Sequence, residues 1–160
     1  MDVVKRGSDR RRRIVIGFDG SKSAEDAFRW FVTKVHQKGD YVIVIYIPEF
    51  KKLTHVPVMT ADAALMTKII TEEQNQNRLL MAQMNELMKL SNVKGTVKQL
   101  TGEPGEQLVL AARKEGADFI VTGSRGLGTL RRTFLGSVSD YVVHHATVPV
   151  VVCRLDDYVL

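Results

Sequence analysis

The sequence predicts an α/β fold, a single domain in which a parallel sheet is covered by helices on both faces. The 160-residue chain is 44% hydrophobic, which is enough to form one substantial core. Short apolar runs alternate with segments of helical periodicity along its length. The run Tyr41 to Ile47 is apolar throughout and rich in β-branched residues, as expected of a strand buried on both faces. A β-α-β-α-β-α-β-α-β order of this kind favours right-handed crossovers.

Composition excludes several classes of protein. No apolar run approaches the roughly 20 residues that a membrane span needs, and the charged first residues do not form a secretory signal. The single cysteine, Cys153, excludes an intramolecular disulfide framework and a multi-cysteine zinc site. We therefore expect a cytoplasmic protein, with a nuclear location also compatible, in a reducing compartment.

A basic segment precedes the first apolar run. The net charge is +5, and part of the excess lies in Arg10, Arg11, Arg12 and Arg13. We interpret residues 1–13 as a solvated, flexible leader. A nucleic-acid or membrane-surface arm is the alternative, but no interleaved aromatic residues support it, so no specific nucleic-acid partner is predicted.

The first half of the chain predicts two strands and two helices. Ile14 to Phe18 is an apolar strand that ends in the turn Asp19-Gly20-Ser21, with Ser21 as the helix N-cap. Apolar residues from Ala24 to Val35 then recur at helical spacing. After the strand Tyr41 to Ile47, which Pro48 ends, the span from Ala61 to Leu90 has helical character.

The long second helix leaves two questions open. Its middle, Thr71 to Arg78, is polar on every side, so the helix either projects beyond the core there or breaks. Its methionines Met66, Met81, Met84 and Met88 favour ordinary core packing, with an adaptable partner groove as the alternative.

The second half predicts the remaining elements. Val93 to Leu100 alternates as a strand, and a helix through Leu108 and Ala112 follows it. Phe119 to Thr122 is the fourth strand, Ser137 to His145 a short helix, and Val148 to Cys153 the fifth strand before the tail 155–160. His144, His145 and Cys153 are interpreted as structural rather than metal-binding or redox residues.

Ligands in such sheets bind beyond the carboxyl ends of the strands, and one segment there stands out. Gly123 and Gly126 allow close backbone approach, and Gly136 with Ser137 begins a helix whose free N–H groups attract anions. Arg125, Arg131 and Arg132 add positive charge nearby. From the residues alone, a phosphate site and a set of ordinary turn and cap residues are equally compatible. Walker A and Rossmann spacings are both missing.

Gly123, Gly126, Gly136 and Ser137 together follow a Gly-x2-Gly-x9-Gly-Ser pattern. In this respect the sequence resembles the nucleotide-binding members of the universal stress protein family. The segments IVIGFDGSKSAEDAFRW, DFIVTGSRGLG and GSVSDYVVHHATVPVVVCR are similar to its opening, fourth-strand and closing segments. The resemblance implies a universal stress protein-like domain over residues 14–154 with a Rossmann-like sheet of strand order 3-2-1-4-5.

The resemblance also implies an adenine-nucleotide site and a homodimer. ATP, or AMP or ADP, would meet Asp19 near the ribose and phosphates, the backbone of Ile47 at the adenine, and the amides and hydroxyls of Ser137, Val138 and Ser139 at the phosphates. Asp19 would help to hold Mg²⁺ or Mn²⁺ beside the phosphates. The dimer would form through the last strand, Val148 to Cys153. The full set of candidate nucleotide-binding residues is Gly17, Phe18, Asp19, Ile47, Thr122, Gly123, Ser124, Arg125, Gly126, Gly128, Gly136, Ser137, Val138 and Ser139.

The predicted function is a dimeric ATP-binding module of stress response or signalling, in which the nucleotide regulates rather than being turned over rapidly. The sequence contains no evident catalytic triad or water-positioning base. A nucleotide-independent interaction or chaperone-like dimer, and a weak ATPase, are the alternatives.

Overall fold

The computed structural model describes residues 10–48, 62–124 and 135–154, and it confirms the predicted α/β fold. A five-stranded sheet has the order β3-β2-β1-β4-β5, with every neighbouring pair parallel. The elements are β1 (Arg13–Phe18), α1 (Lys22–Lys34), β2 (Tyr41–Tyr46), α2 (Ala63–Leu90), β3 (Gly95–Gln99), α3 (Pro104–Lys114), β4 (Phe119–Gly123), α4 (Ser137–His145) and β5 (Val150–Cys153).

The sheet separates two apolar layers. On one face, Ile14, Ile16, Val42 and Val44 pack with side chains of α1 and α2. On the other face, the alternate strand residues pack with α3 and α4, whose core side chains include Leu108 and Val142. The central strands are therefore buried on both faces, which is why their sequences are continuously apolar.

Helix α2 is continuous over 28 residues, so the predicted helix does not break. Met88 lies against Gly95 at the amino end of β3, whereas Asn77 bonds Tyr46 at the carboxyl end of β2. These eleven residues of helix, about 16 Å at 1.5 Å per residue, thus run along the strands from the amino end to the carboxyl end of the sheet. The residues of α2 that precede Asn77 extend beyond the carboxyl end of the sheet. Met84 and Met88 are buried, which confirms their interpretation as core.

The sequence predicts a solvated leader over residues 1–13, but two of its arginines are partly buried in the fold. β1 begins at Arg13, and Arg12 and Arg13 are half-buried in ion pairs with Asp40 and Glu115. Asp40 and Glu115 lie at the amino end of the sheet, where the two arginines compensate their negative charges. Residues 1–9 and 155–160 lie outside the described residues. Within the described part, no helix is both long and apolar enough to cross a membrane.

Candidate functional site

The strand order creates a crevice at the carboxyl end of the sheet. From β1 the chain crosses to β2 on one side, and from β4 it crosses to β5 on the other. The connections that leave β1 and β4 therefore diverge between two adjacent strands, where ligands of open parallel sheets bind. The candidate site is built from the residues that follow these two strands.

The turn after β1 fixes Asp19 at this crevice. Asp19 Oδ1 accepts a hydrogen bond from Ser21 N at 2.9 Å, and Ser21 Oγ caps α1 by accepting from Ala24 N at 3.2 Å. Gly20 has φ of +81°, a conformation that strongly favours glycine. A Cβ at Gly20 would also lie 3.0 Å from the Leu80 side chain of α2. The turn is thus held by its own capping bonds and by α2.

The end of β4 packs tightly against the start of α1. A Cβ at Gly123 would lie 2.6 Å from Ser23 Oγ and 2.9 Å from the Ser23 carbonyl oxygen, so this approach requires glycine. Ser124 N donates to Cys153 O at 2.9 Å, which extends the pairing of β4 with β5 by one residue. The backbone that leaves β4 is therefore fixed on both sides.

The N-terminus of α4 lies beside the end of β4. Gly136 N donates to Ser124 O at 2.8 Å, which joins the two segments directly. Gly136 is the N-cap residue and has no side chain to satisfy the first-turn amides of α4. The Ser139 hydroxyl is buried and donates to Gly136 O at 3.0 Å, so it is occupied by the helix itself. The amides of this turn, with the exposed Ser137, form a site suited to an anion.

The structure brings half of the predicted site residues into one group, and it places Phe18, Asp19 and Ile47 at the ends of β1 and β2. The group at the β4–α4 junction consists of Thr122, Gly123, Ser124, Gly136, Ser137, Val138 and Ser139. Phe18 and Asp19 end the adjacent strand. Ile47 follows β2 with its side chain buried against the α3 and α4 layer. Arg125, Gly126 and Gly128 lie outside the described residues.

Gly17 has a packing explanation. A Cβ at this position would come within 2.9 Å of the Leu108 side chain, so the glycine lets α3 approach β1. It is buried within the strand rather than at the strand end.

Sequence reasoning missed a polar group that α2 adds at this end of the sheet. Tyr46 Oη donates to Asn77 Oδ1 at 2.7 Å. Burial raises the pKa of Tyr46, and the negative charges of Asp19 and Glu73 raise it further. Glu73 is only 8% exposed, although its neighbours along the helix are exposed. Its Oε2 atom is buried and has no hydrogen-bond partner within the described part of the chain.

The helical spacing of α2 could have predicted that Glu73 and Asn77 face inward. The side chains that α2 turns inward follow one another at intervals of four, three, four and four residues: Glu73, Asn77, Leu80, Met84 and Met88. The last three continue an apolar stripe, and extending that stripe backwards places Glu73 and Asn77 on the same face of the helix.

The other titratable residues have structural surroundings. His145 stacks on Tyr141 with ring centroids 3.9 Å apart, and His144 Nδ1 lies 2.8 Å from Asp140 O. Cys153 is buried, which confirms the expectation of a small core residue, and burial raises the pKa of its thiol to about 11. Across residues 10–48, 62–124 and 135–154, no three His, Cys, Asp or Glu side chains form a metal-binding group.

Comparison with known proteins agrees with this architecture. The sequence model of the universal stress protein family matches residues 10–154. Universal stress protein MJ0577 of Methanocaldococcus jannaschii is 29% identical over 154 residues, covering 89% of this chain and 94% of that protein. The solved structure of MJ0577 superposes with a TM-score of 0.68 at 24% identity, covering 92% of this chain and 99% of the other.

Two further solved structures share the fold. A universal stress protein family protein of Arabidopsis thaliana, At3g01520, was solved with AMP bound. It has a TM-score of 0.66 at 18% identity and covers 91% of this chain and 93% of its own. A universal stress protein in complex with cAMP has a TM-score of 0.58 at 22% identity, with coverage of 90% and 97%. At these identities the likeness establishes the fold.

Proposed function

The chain belongs to the universal stress protein family, and from that membership we propose that it is a stress-response module that binds an adenine nucleotide as a regulator. ATP is the proposed ligand, with AMP and ADP using the same site. AMP and cAMP in two structures of the same fold support an adenine nucleotide as the ligand class.

The observation that carries the proposal is the junction of β4 with α4. The bond from Gly136 N to Ser124 O brings an uncapped helix N-terminus next to the end of a central strand. Phosphate groups are stabilised at such a position by free amides and by the positive end of the helix dipole. Because the Ser139 hydroxyl is bound within the helix, we assign the phosphate contacts to the first-turn amides and to the Ser137 side chain.

The rest of the nucleotide is proposed to extend from this junction towards β1 and β2. The Ile47 side chain is buried in the core, so its backbone is the part available to an adenine ring. Asp19 at the end of β1 is proposed to lie near the ribose and phosphates. It fits a divalent cation carried by the phosphates, because Mg²⁺ in such complexes uses one or two carboxylates.

The test is a charge placed in the proposed phosphate site. Ser137→Asp puts a carboxylate at the first position of α4, where negative charge favours the helix but repels phosphate. We expect ATP affinity, measured by calorimetry with Mg²⁺, to fall on the order of tenfold or more, a change of about 1.4 kcal/mol or greater. The unfolding midpoint without nucleotide should not fall.

The matched control is Thr147→Asp, which adds the same charge on an exposed residue before the amino end of β5. It should leave ATP affinity unchanged. If the wild-type protein does not bind ATP, the proposed function is wrong. If Ser137→Asp binds ATP as tightly as Thr147→Asp does, the nucleotide lies elsewhere.

We also propose that β5 pairs with a second copy of the chain. β5 is the last strand of the sheet, and Val150, Val151 and Val152 are half-buried. Pro149 O and Cys153 O accept hydrogen bonds from β4, so by alternation Val150 and Val152 direct their backbone groups to the open side. Apolar strands with an open side are normally covered.

Val152→Pro tests this pairing because it removes an outward N–H without removing a bond to β4. In sedimentation velocity, the wild-type chain should be a dimer and the variant a monomer of unchanged secondary structure. A monomeric wild-type chain would rule the dimer out.

A further inference from the structure

One carboxylate of α2 is buried, and one of its oxygen atoms has no hydrogen-bond partner among the described residues. Glu73 is 8% exposed, and its Oε2 atom accepts no hydrogen bond from the residues that the structure describes. The residues on either side of it, Glu72 and Gln74, are exposed. A buried carboxylate that accepts too few hydrogen bonds destabilises the fold unless a cation or a proton compensates its charge.

The surroundings of Glu73 add oxygen atoms and a second negative charge. Asp19 follows Phe18, which pairs with Tyr46 across β1 and β2. The Tyr46 hydroxyl bonds Asn77 of α2, so Asp19 and the helical turn that follows Glu73 both adjoin Tyr46. Asn77, one helical turn after Glu73, presents its Oδ1 atom to that hydroxyl. One carboxylate oxygen of Asp19, Oδ1, accepts a hydrogen bond from Ser21 N.

These groups favour a small, hard cation. Carboxylate and amide oxygens are the ligands that divalent cations such as Mg²⁺, Mn²⁺ and Ca²⁺ prefer. The two carboxylates together carry a charge of about −2, which one divalent cation neutralises. A neutral hydrogen-bond donor would leave that charge in place.

We propose that Glu73 of α2 and Asp19 of the β1 turn, with the amide oxygen of Asn77, form a binding site for one divalent cation that is filled without nucleotide. This goes beyond the proposed nucleotide function, in which a cation is carried by the phosphates. The site would join the projecting part of α2 to the end of β1, since its ligands come from both elements.

The experiment titrates the nucleotide-free protein with Mn²⁺ alone and follows free Mn²⁺ by electron paramagnetic resonance. We expect one Mn²⁺ per chain in the wild type. Glu73→Gln keeps the size of the side chain and removes its charge, so it should weaken binding on the order of tenfold or more. Glu72→Gln makes the same change on the exposed neighbour and should leave the affinity unchanged.

A second measurement distinguishes a lost ligand from a damaged fold. Mn²⁺ should raise the unfolding midpoint of the wild type and of Glu72→Gln, because a ligand that binds only the native state stabilises it. It should raise the midpoint of Glu73→Gln by less at the same Mn²⁺ concentration. The midpoint of this variant in EDTA should equal or exceed that of the wild type.

The proposal is overturned if the wild type binds no Mn²⁺, or if Glu73→Gln binds it as tightly as Glu72→Gln. These outcomes are independent of the nucleotide. ATP binding measured in EDTA tests the nucleotide site alone, so either proposal can fail while the other stands.

Discussion

The two ends of the sheet differ in whether their charged and polar groups have partners within the fold. At the amino end, three arginines contact carboxylates of neighbouring elements, so the charges are compensated within the fold. The residues of this amino-end cluster are Arg10, Arg12, Arg13, Asp40, Glu115 and Asp118. At the carboxyl end, Glu73 Oε2 accepts no hydrogen bond from residues 10–48, 62–124 or 135–154, and α4 begins on a glycine that has no side chain to cap it.

Because of this difference, we expect the paired groups at the amino end to stabilise the fold and the unpaired groups at the carboxyl end to bind ligands. A charge that already has a partner in the fold contributes to stability, and removing its partner leaves it desolvated. A polar group without a partner costs stability until a ligand supplies the missing contact. The same change from carboxyl to amide should therefore have opposite effects at the two ends of the sheet.

Asp40→Asn should have the largest effect. Asp40 is 3% exposed and accepts hydrogen bonds from Arg12 Nε at 2.8 Å, Arg12 Nη2 at 2.6 Å and Gln37 N at 2.9 Å. The amide cannot neutralise the half-buried guanidinium, so the free energy of unfolding should fall by about 2–3 kcal/mol. Urea denaturation measures this change.

The control for Asp40→Asn is Glu25→Gln, which removes the charge of an exposed ion pair with Arg29 on α1. Such a pair contributes about 0.3–0.5 kcal/mol. A loss at Asp40 no larger than the loss at Glu25 would contradict a stabilising role for the amino-end cluster.

Acid should weaken the amino end by a smaller amount, because carboxylates whose pKa values are lowered become only partly protonated in moderate acid. Burial would raise the pKa of Asp40, but hydrogen bonds from Arg12 and Gln37 N lower it below its ordinary value of 3.8. The hydrogen bond from Lys98, followed by that from Arg13, lowers the pKa of Glu115 below 4.5 despite its burial.

Since both pKa values are lower in the folded state, these carboxylates stabilise the fold fully above the unfolded-state values. Their contribution is lost as the pH falls through the folded-state values. The unfolding midpoint should therefore fall from pH 5 to pH 3, and Glu115→Gln should make that slope shallower. An unchanged slope in the variant would show that Glu115 does not contribute to the acid dependence.

Glu73→Gln should change stability in the opposite direction. Without a divalent cation, the neutral amide is easier to bury than the carboxylate, so the free energy of unfolding should rise by about 1 kcal/mol. Urea denaturation in EDTA measures the change against Glu72→Gln. A destabilised Glu73→Gln protein would mean that the carboxylate has a partner in the fold, and the contrast between the two ends would disappear.

The fold was largely predictable because it follows from apolar patterning. The continuous apolar run in β2 and the helical stripe in α1 specify which faces are buried, and the right-handedness of the crossovers leaves few topologies. The strand order was implied by family resemblance rather than by these patterns. The boundary at Arg13 was misplaced because charge alone does not reveal whether an arginine meets a distant carboxylate such as Glu115.

The part of the candidate site that glycines mark was predictable from the residues themselves, because it is built from backbone. Gly123 and Gly136 mark places where the chain approaches another element or begins a helix, and glycine signals such places in sequence. Glu73 lies more than fifty residues from Asp19 in a uniformly polar stretch, so only the phase of α2 reveals that it faces inward. The contact between Tyr46 and Asn77 is also tertiary.

Arg10→Ala should have the smallest effect and shows how the amino-end cluster is organised. Arg10 is 64% exposed, lies 3.3 Å from Asp118 and donates to Gly116 O at 2.7 Å. Water and salt screen such a pair, so the free energy of unfolding should change by about 0.5 kcal/mol or less. A double-mutant cycle with Asp40→Asn should be additive, because Arg10 shares no partner with Asp40. Coupling between the two sites would mean that the amino-end charges act as one network rather than as separate pairs.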